Sequence, residues 1–284
     1  MHETYSASPR PELAPYVRAF AQRKIDLAET TGVVEPVPAC LEQILNFEFG
    51  IRPIAELGDA SRFTIHPLSV VGASAYRPFN LHMPAGTESF AIFLQPLALW
   101  QLFRLPLGSF VNQDYDGYAV LGEEGHQLWH RMAETRHFAE RVTLAESYLL
   151  RKALNAQPNT SVMSAAVYMF RARGARRLED VAGKLSLGLR QFERNFVREI
   201  GLSPKLYSRV ARFQAALDTR IRRQDTRWAS LAHEFGYHDQ MHMIKDFQKL
   251  SGLSPERLLM QIGDMRPPAL ISAADHRHHS DRFR

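Results

Sequence analysis

Within Leu189-Arg190-Gln191-Phe192-Glu193-Arg194-Asn195-Phe196, three side chains can do directional chemistry if the stretch is helical. At helical spacing Phe192 and Phe196 fall on one side, which leaves Arg190, Glu193 and Arg194 together on the other. A guanidinium is a rigid fork of donors that can grip O6 and N7 of guanine with two hydrogen bonds. A carboxylate can accept from N4 of cytosine, and each good pair discriminates by about 1–3 kcal/mol. Further along, Gln240, Met241, His242 and Lys245 form a second outer face with weaker tools. Gln240 can pair with adenine, and Lys245 can reach guanine or a phosphate as a point charge.

These faces need elements to hold them, and a repeat supplies those elements. Gly201-Leu202-Ser203-Pro204 recurs as Gly252-Leu253-Ser254-Pro255, 51 residues later. Arg194-Asn195-Phe196 answers to Lys245-Asp246-Phe247 at the same offset, but Val181-Ala182 answers to Leu231-Ala232 at 50, so one unit carries an extra turn residue. Each unit reads as helix, turn, helix. The first has Leu178, Val181, Ala182 and Leu185, a break at Ser186-Leu187-Gly188, then Leu189, Phe192, Phe196 and Ile200. The second has Trp228, Leu231, Ala232 and Phe235, a break at Gly236-Tyr237, then Met241, Ile244, Phe247 and Leu250. Pro204 opens a long helix to about Arg223 with Leu206, Val210, Phe213, Leu217 and Ile221 on one stripe, a rod that joins the units. A helix over Val162–Arg171 supports the first unit.

The run from Gly236 to Phe247 with Gly252-Leu253-Ser254-Pro255 behind it resembles the second helix-turn-helix of AraC/XylS-type transcription regulators, and the first unit matches as well. The resemblance covers roughly residues 160 to 262. It implies a partner, double-stranded DNA, and places base contacts at Arg190, Glu193 and Arg194. The family pattern more often has Ser at the position of Met241 and Arg at that of Lys245. Losing the hydroxyl and the bidentate fork points the second unit toward backbone contact. Phosphate contacts are expected from Arg177, Lys184, Arg198, Arg227 and the helix starts near Leu178 and Ser230. Two reading helices on one rod would enter adjacent major grooves about 34 Å apart.

Charge agrees with that placement. Residues 171–261 hold 18 Lys and Arg against 10 Asp and Glu, whereas residues 1–170 hold 13 against 17. A basic second half is the footprint of a phosphate-contacting surface. The lone Cys40 excludes an intramolecular disulfide and a multi-cysteine zinc site, and it fits a reducing compartment. Met1–Arg10 lacks an apolar signal core, and the apolar window Phe90–Phe103 is too short to span a bilayer, so a cytoplasmic protein without membrane contact is expected. An enzyme fused to a DNA-binding pair is the competing class. Cys40 has no activating neighbours, and no phosphate loop, nucleophile elbow or HExxH occurs. No catalytic residue, cofactor or metal is assigned, and His276, His278 and His279 read as part of a flexible tail over 263–284.

The first half reads as a small antiparallel β domain. Leu45, Phe47 and Phe49 alternate, and 62–65, 69–72, 79–83 and 89–95 are further strands separated by Pro and Gly. Residues 9–25 fit a helix or a strand. Helices follow at 97–105, 122–136 and 137–156, with a loop at 107–120 and a hinge at Gln157-Pro158-Asn159-Thr160. The fold class is thus α+β: a β-rich region with flanking helices over 1–156, then an all-α pair of helix-turn-helix units over 161–262. Pro11-Glu12-Leu13 with Tyr16-Val17, Arg77-Pro78-Phe79 and Pro84-Ala85-Gly86-Thr87 resemble an uncharacterised sensor-type domain found ahead of the AraC pair. Tyr76, Arg77, His82 and Trp100 are the candidate lining of a pocket for a small-molecule effector. RNA polymerase and a second copy of the chain stand as further partners.

Overall fold

Alternation along the strands organises the first half of the chain. The structure, a computed structural model, describes residues 2–26, 28, 32–75, 78–262, 267 and 269. Ten strands appear among them: β1 (His2–Ala7), β2 (Val17–Ile25), β3 (Val33–Val37), β4 (Gln43–Glu48), β5 (Ile54–Leu57), β6 (Arg62–Thr64), β7 (Leu68–Val71), β8 (Phe79–Met83), β9 (Glu88–Leu94) and β10 (Asp114–Asp116). They make two antiparallel sheets, ordered β1-β2-β9-β4-β7-β10 and β3-β8-β5-β6. On the larger sheet Leu45, Phe47, Phe90 and Ile92 are fully buried on one face, while Ile44, Asn46, Ser89 and Ala91 look the other way, into a cavity.

The buried face is covered by helices: α1 (Ala98–Phe103), α2 (Leu107–Phe110), α3 (Gly117–Glu134) and α4 (Phe138–Ala153). Trp129 of α3 donates from Nε1 to the carbonyls of Glu48 (3.1 Å) and Pro67 (3.0 Å). Arg141 of α4 is buried and donates to Met132 O (3.1 Å), Thr135 O (2.8 Å) and Gln22 Oε1 (2.9 Å), pairs with Glu88, and lies 4.0 Å over the Phe49 ring. Each polar atom it buries is answered, as a buried cation requires.

Several elements differ from their sequence reading. Residues 17–25 are a strand, and their alternation is hidden because β2 is buried on both faces over most of its length. β1, β3 and β5 have no counterpart in that reading. β1 is a largely polar edge strand, and β3 carries Pro36 on the edge of the second sheet, where a missing N–H removes no ladder bond. The loop expected over 107–120 contains α2 and β10, and β10 extends the larger sheet beyond residue 95. Helix α3 begins at Gly117, with Asp116 as its cap, and is interrupted at Gly122, whose φ of 64° breaks the periodicity from which the later start was read.

Seven helices follow: α5 (Ser161–Arg171), α6 (Leu178–Lys184), α7 (Leu189–Ile200), α8 (Pro204–Arg222), α9 (Trp228–Glu234), α10 (Gln240–Ser251) and α11 (Pro255–Ile262). Thr160 caps α5, accepting from Met163 N at 3.1 Å, and Ser203 caps α8, accepting from Leu206 N at 3.3 Å with Pro204 in its first turn. Edge-on ring contacts join the helices to the rod α8: Phe196 meets Tyr207 and Phe247 meets Phe213. The His cluster of the tail lies outside the described residues.

The two halves are fastened together. Gln157–Thr160, read as a hinge, is tied back: Gln157 N donates to Gln101 O (2.8 Å), and Gln101 Nε2 donates to Asn159 Oδ1 (3.0 Å). Arg18 of β2, wholly buried, pairs with Glu42 and with Asp218 of α8 (2.8 Å), while Gln214 of α8 bonds Glu42 and accepts from Leu41 N (2.9 Å). Removing one member would strand a buried charge, a costly change even where the intact set adds little net stability. At Gly201, φ +83°, an added Cβ would stand 2.5 Å from Gly108 Cα in α2. The carbonyl of Leu250, near the end of α10, accepts from Ala39 N at 2.7 Å.

Candidate nucleic-acid interface

The two units superpose in their signals down to the turn. Helices α6 and α9 are both seven residues long, but four residues separate α6 from α7 and five separate α9 from α10. The extra residue implied by the change in offset therefore lies in the second turn. The first turn uses Ser186 at φ 54° and the second Gly236 at φ 66°, equivalent positions at offset 50. Both second helices end on a left-handed glycine, Gly201 and Gly252.

Helix α7 turns Phe192, Phe196 and Ile200 fully inward. Arg190 and Arg194 are exposed and Glu193 is half-buried beside them. Among the described residues no ion pair or hydrogen bond engages the side chains of Arg190, Glu193 or Arg194, so the fork donors face outward uncommitted. Such a face suits bidentate recognition of a base edge or a phosphate. Val197 is also exposed on this helix, at 47%.

Helix α10 buries Met243, Phe247 and Leu250. The sequence stripe placed Met241 and Ile244 inside; Met241 is instead 59% exposed and Ile244 half-buried, because Met243 takes the inward position. Gln240, Met241, His242 and Lys245 all lie on the surface. Asp239 caps the helix by accepting from His242 N at 2.7 Å, and its carboxyl is held below the usual aspartate value chiefly by that bond, then by His238. His233, His238 and His242 are surface residues, and no group of metal-ligating side chains occurs among the described residues.

The expected phosphate contacts divide. Arg177 and Arg227 are exposed at the positions preceding α6 and α9, neither helix having a side-chain cap. Lys184 is exposed but sits 4.7 Å over the Tyr168 ring, and Arg198 pairs with Glu199 at 3.3 Å. Ser230 is exposed, although its backbone N–H is already given to Arg227 O at 3.0 Å. Other cations of the basic half are structural. Arg209 of the rod bonds the buried Asp246 of α10 at 2.7 Å, and Arg212 donates to Gly174 O (3.1 Å) and Gly236 O (3.3 Å), tying together the approaches to both units.

Of the residues proposed for an effector pocket, the two that are described, His82 and Trp100, lie apart. Tyr76 and Arg77 lie outside the described residues. His82 on β8 faces Glu56 at 3.3 Å, and Trp100 on α1 donates to Pro158 O at 3.4 Å. A cavity of about 230 Å³ lies elsewhere, between the two sheets. Its floor is formed by cross-strand rows of the larger sheet: Arg23, Ser89 and Glu48; then Ala21, Ala91, Asn46 and Ser69; then Phe93, Ile44 and Val71. Phe79, Leu81 and Met83 of β8 cover it, and Ile262 of α11 closes one side. The signal available in sequence was the run of small residues at alternate strand positions, which leaves room where larger side chains would fill the space between the sheets.

With this geometry in view, the comparisons with known proteins give a class. A family profile described as a helix-turn-helix domain matches residues 181–261, from within α6 into α11. No curated protein sequence matches the chain. Among solved structures, a variant of apo ToxT from Vibrio cholerae shares 9% identity at a TM-score of 0.53, covering 90% of this chain and 99% of that one. ToxT from Vibrio cholerae bound to an unsaturated fatty acid gives 11% identity and a TM-score of 0.48, covering 93% and 96%. At such identity the first likeness concerns the fold alone: antiparallel sheets followed by a helical region. The C-terminal region is an AraC-type helix-turn-helix domain, and the chain is a DNA-binding transcription regulator. Among the described residues no helix is long and apolar enough to cross a membrane.

Proposed function

We propose that this regulator reads sequence through α7, fastens to the backbone through α10, and is controlled by a small molecule held between its two sheets. The observation that carries the reading is the pair of uncommitted guanidiniums on α7, where the corresponding positions of α10 hold Met241 and Lys245. Arg190 and Arg194 grip guanine edges while Glu193 accepts from cytosine or orients its arginine neighbours. Arg177, Lys184, Arg198 and Arg227 supply phosphate contacts that set register without reading sequence. On this reading residues 1–156 are the sensing part and 161–262 the DNA-binding part, acting in the cytoplasm, with RNA polymerase and a second copy of the chain as partners.

Effector control rests on where the two halves touch. Both reading helices are held near their C-terminal ends by the first half, α7 through Gly201 on Gly108 and α10 through Leu250 on Ala39. The cavity shares Ile262 with α11, and its lining residue Glu42 belongs to the buried Arg18 network that reaches α8. An occupant that shifts this contact shifts both helices together, provided it binds the two arrangements unequally. Genomic footprinting with the purified full chain tests the reading: discrete protected sites carrying guanines at fixed spacing are expected, and uniform salt-sensitive coverage without preferred sites would refute it.

A further inference from the structure

We propose that the effector is an apolar amine whose ammonium group pairs with Glu48. The inference deepens the effector reading above and rests on it. Glu48 is 3% exposed and lines the cavity, accepting from Asn46 Nδ2 at 2.7 Å and from Ser89 Oγ at 2.6 Å. Among the described residues it forms no ion pair. The other charged groups on the lining are already answered: Arg23 pairs with Glu35 within the cavity, and Glu42 pairs with Arg18 behind it. One buried carboxyl is therefore left on the lining with hydrogen-bond donors but no ion-paired cation, and a buried carboxylate without such a partner is costly.

The remaining walls set the body of the ligand. Beyond the Glu48 row come Ala21 and Ala91, then Ile44, Val71 and Phe93, with Leu81 and Met83 opposite and Ile262 on the side. The polar end and apolar end thus lie along the strands of a cavity of about 230 Å³. An ammonium at Glu48 carrying a short hydrocarbon satisfies both ends. A carboxylate would set like charge against Glu48, and an alcohol would leave its charge unanswered.

Proton linkage gives a second handle. Burial pushes the Glu48 carboxyl up to about 7, against the hydrogen bonds from Ser89 and Asn46. Arg52, following β4, pulls the value down, and Asp114 of β10 pushes it up; His66 acts on Asp114, and the Arg23–Glu35 pair faces the site from β2 and β3. Because the amine needs the ionised carboxylate, protons compete with it below that value and affinity rises with pH up to it.

The test uses the full chain and three probes with one hydrocarbon skeleton: octylamine, octanol and octanoate, titrated by calorimetry at pH 6 and pH 8. Octylamine is expected to bind at least about tenfold tighter than either analogue at pH 8, as a charged hydrogen bond would give. Its affinity should drop by about tenfold at pH 6. Glu48→Gln should bring octylamine to within about twofold of octanol. That variant should melt no lower than the parent at pH 8, since removing an uncompensated buried carboxylate does not destabilise the fold. Octanoate binding as well as octylamine, an unchanged amine preference in Glu48→Gln, or no octylamine binding at all would each overturn the amine assignment. Octylamine binding with the expected Glu48 dependence but leaving DNA affinity unaltered would instead overturn the effector reading and keep the amine site.

Discussion

The two helix-turn-helix units share a layout and differ in what they present. Unit one turns out Arg190 and Arg194 on a helix without a side-chain cap, and its terminal glycine is wedged against the first half of the chain. Unit two turns out Gln240, Met241, His242 and Lys245 on a helix capped by Asp239, and a Cβ added at its terminal glycine would meet nothing within 4 Å. Duplication kept the packing residues, Phe196 and Phe247 against the rod, because both units share one core. The outer faces carry no such constraint, and they differ: guanidinium forks on α7, an amide, a thioether, an imidazole and an ammonium on α10.

The largest expected effect comes from the matched glycines. Gly201→Ala forces a methyl into α2 and strains a left-handed residue, and should lose about 3 kcal/mol in chemical unfolding. Gly252→Ala keeps only the backbone strain and should lose about 1 kcal/mol. Equal losses would mean that the Gly108 contact does not hold α7 in solution.

Next comes the readout. Arg194→Ala should weaken binding to the footprinted site by about 1–3 kcal/mol while leaving unrelated DNA within about twofold; Lys245→Ala should weaken both alike. Fluorescence anisotropy on the two DNAs measures this, and a Lys245 variant that lost specificity as badly as the Arg194 variant would erase the contrast between units. Lys184→Ala should lower the slope of log affinity against log salt by about one, with the ranking of sequences unchanged.

The smallest effect is the cap. Asp239 has its carboxyl depressed by the His242 N–H and by His238, so its support is present above the ordinary value of 3.8 and disappears as pH falls through the depressed value. Asp239→Ala should melt slightly lower than the parent at pH 7 and alike at strongly acidic pH. A deficit of the same size at both would show that the carboxylate bond is not what Asp239 contributes. Gly188, the corresponding position of unit one, offers no such titration.

Much of the second half was legible because a repeat constrains itself. The changed offset located an extra turn residue, and the phenylalanines fixed which face of α7 was free. The outward stripe of α10 was legible only in part, since Met241 and Met243 are chemically alike and only packing decides which is buried. In the first half β4, β7, β8 and β9 were readable from alternation and turn residues. β2 was ambiguous because both its faces are buried, and β3 escaped notice because Pro36 is tolerated only at an edge. The cavity between the sheets has a faint signal in the sequence, since alanine, serine and asparagine make its space and carry no chemistry that marks a site.

On the reading proposed above, α7 reads bases and α10 grips phosphates. Chemical interference on a footprinted site tests it directly: methylating guanine N7 should block binding only in the major groove under α7, while ethylating phosphates should block binding in both grooves. Interference from N7 methylation of equal strength in the two grooves, or confined to the groove under α10, would contradict it.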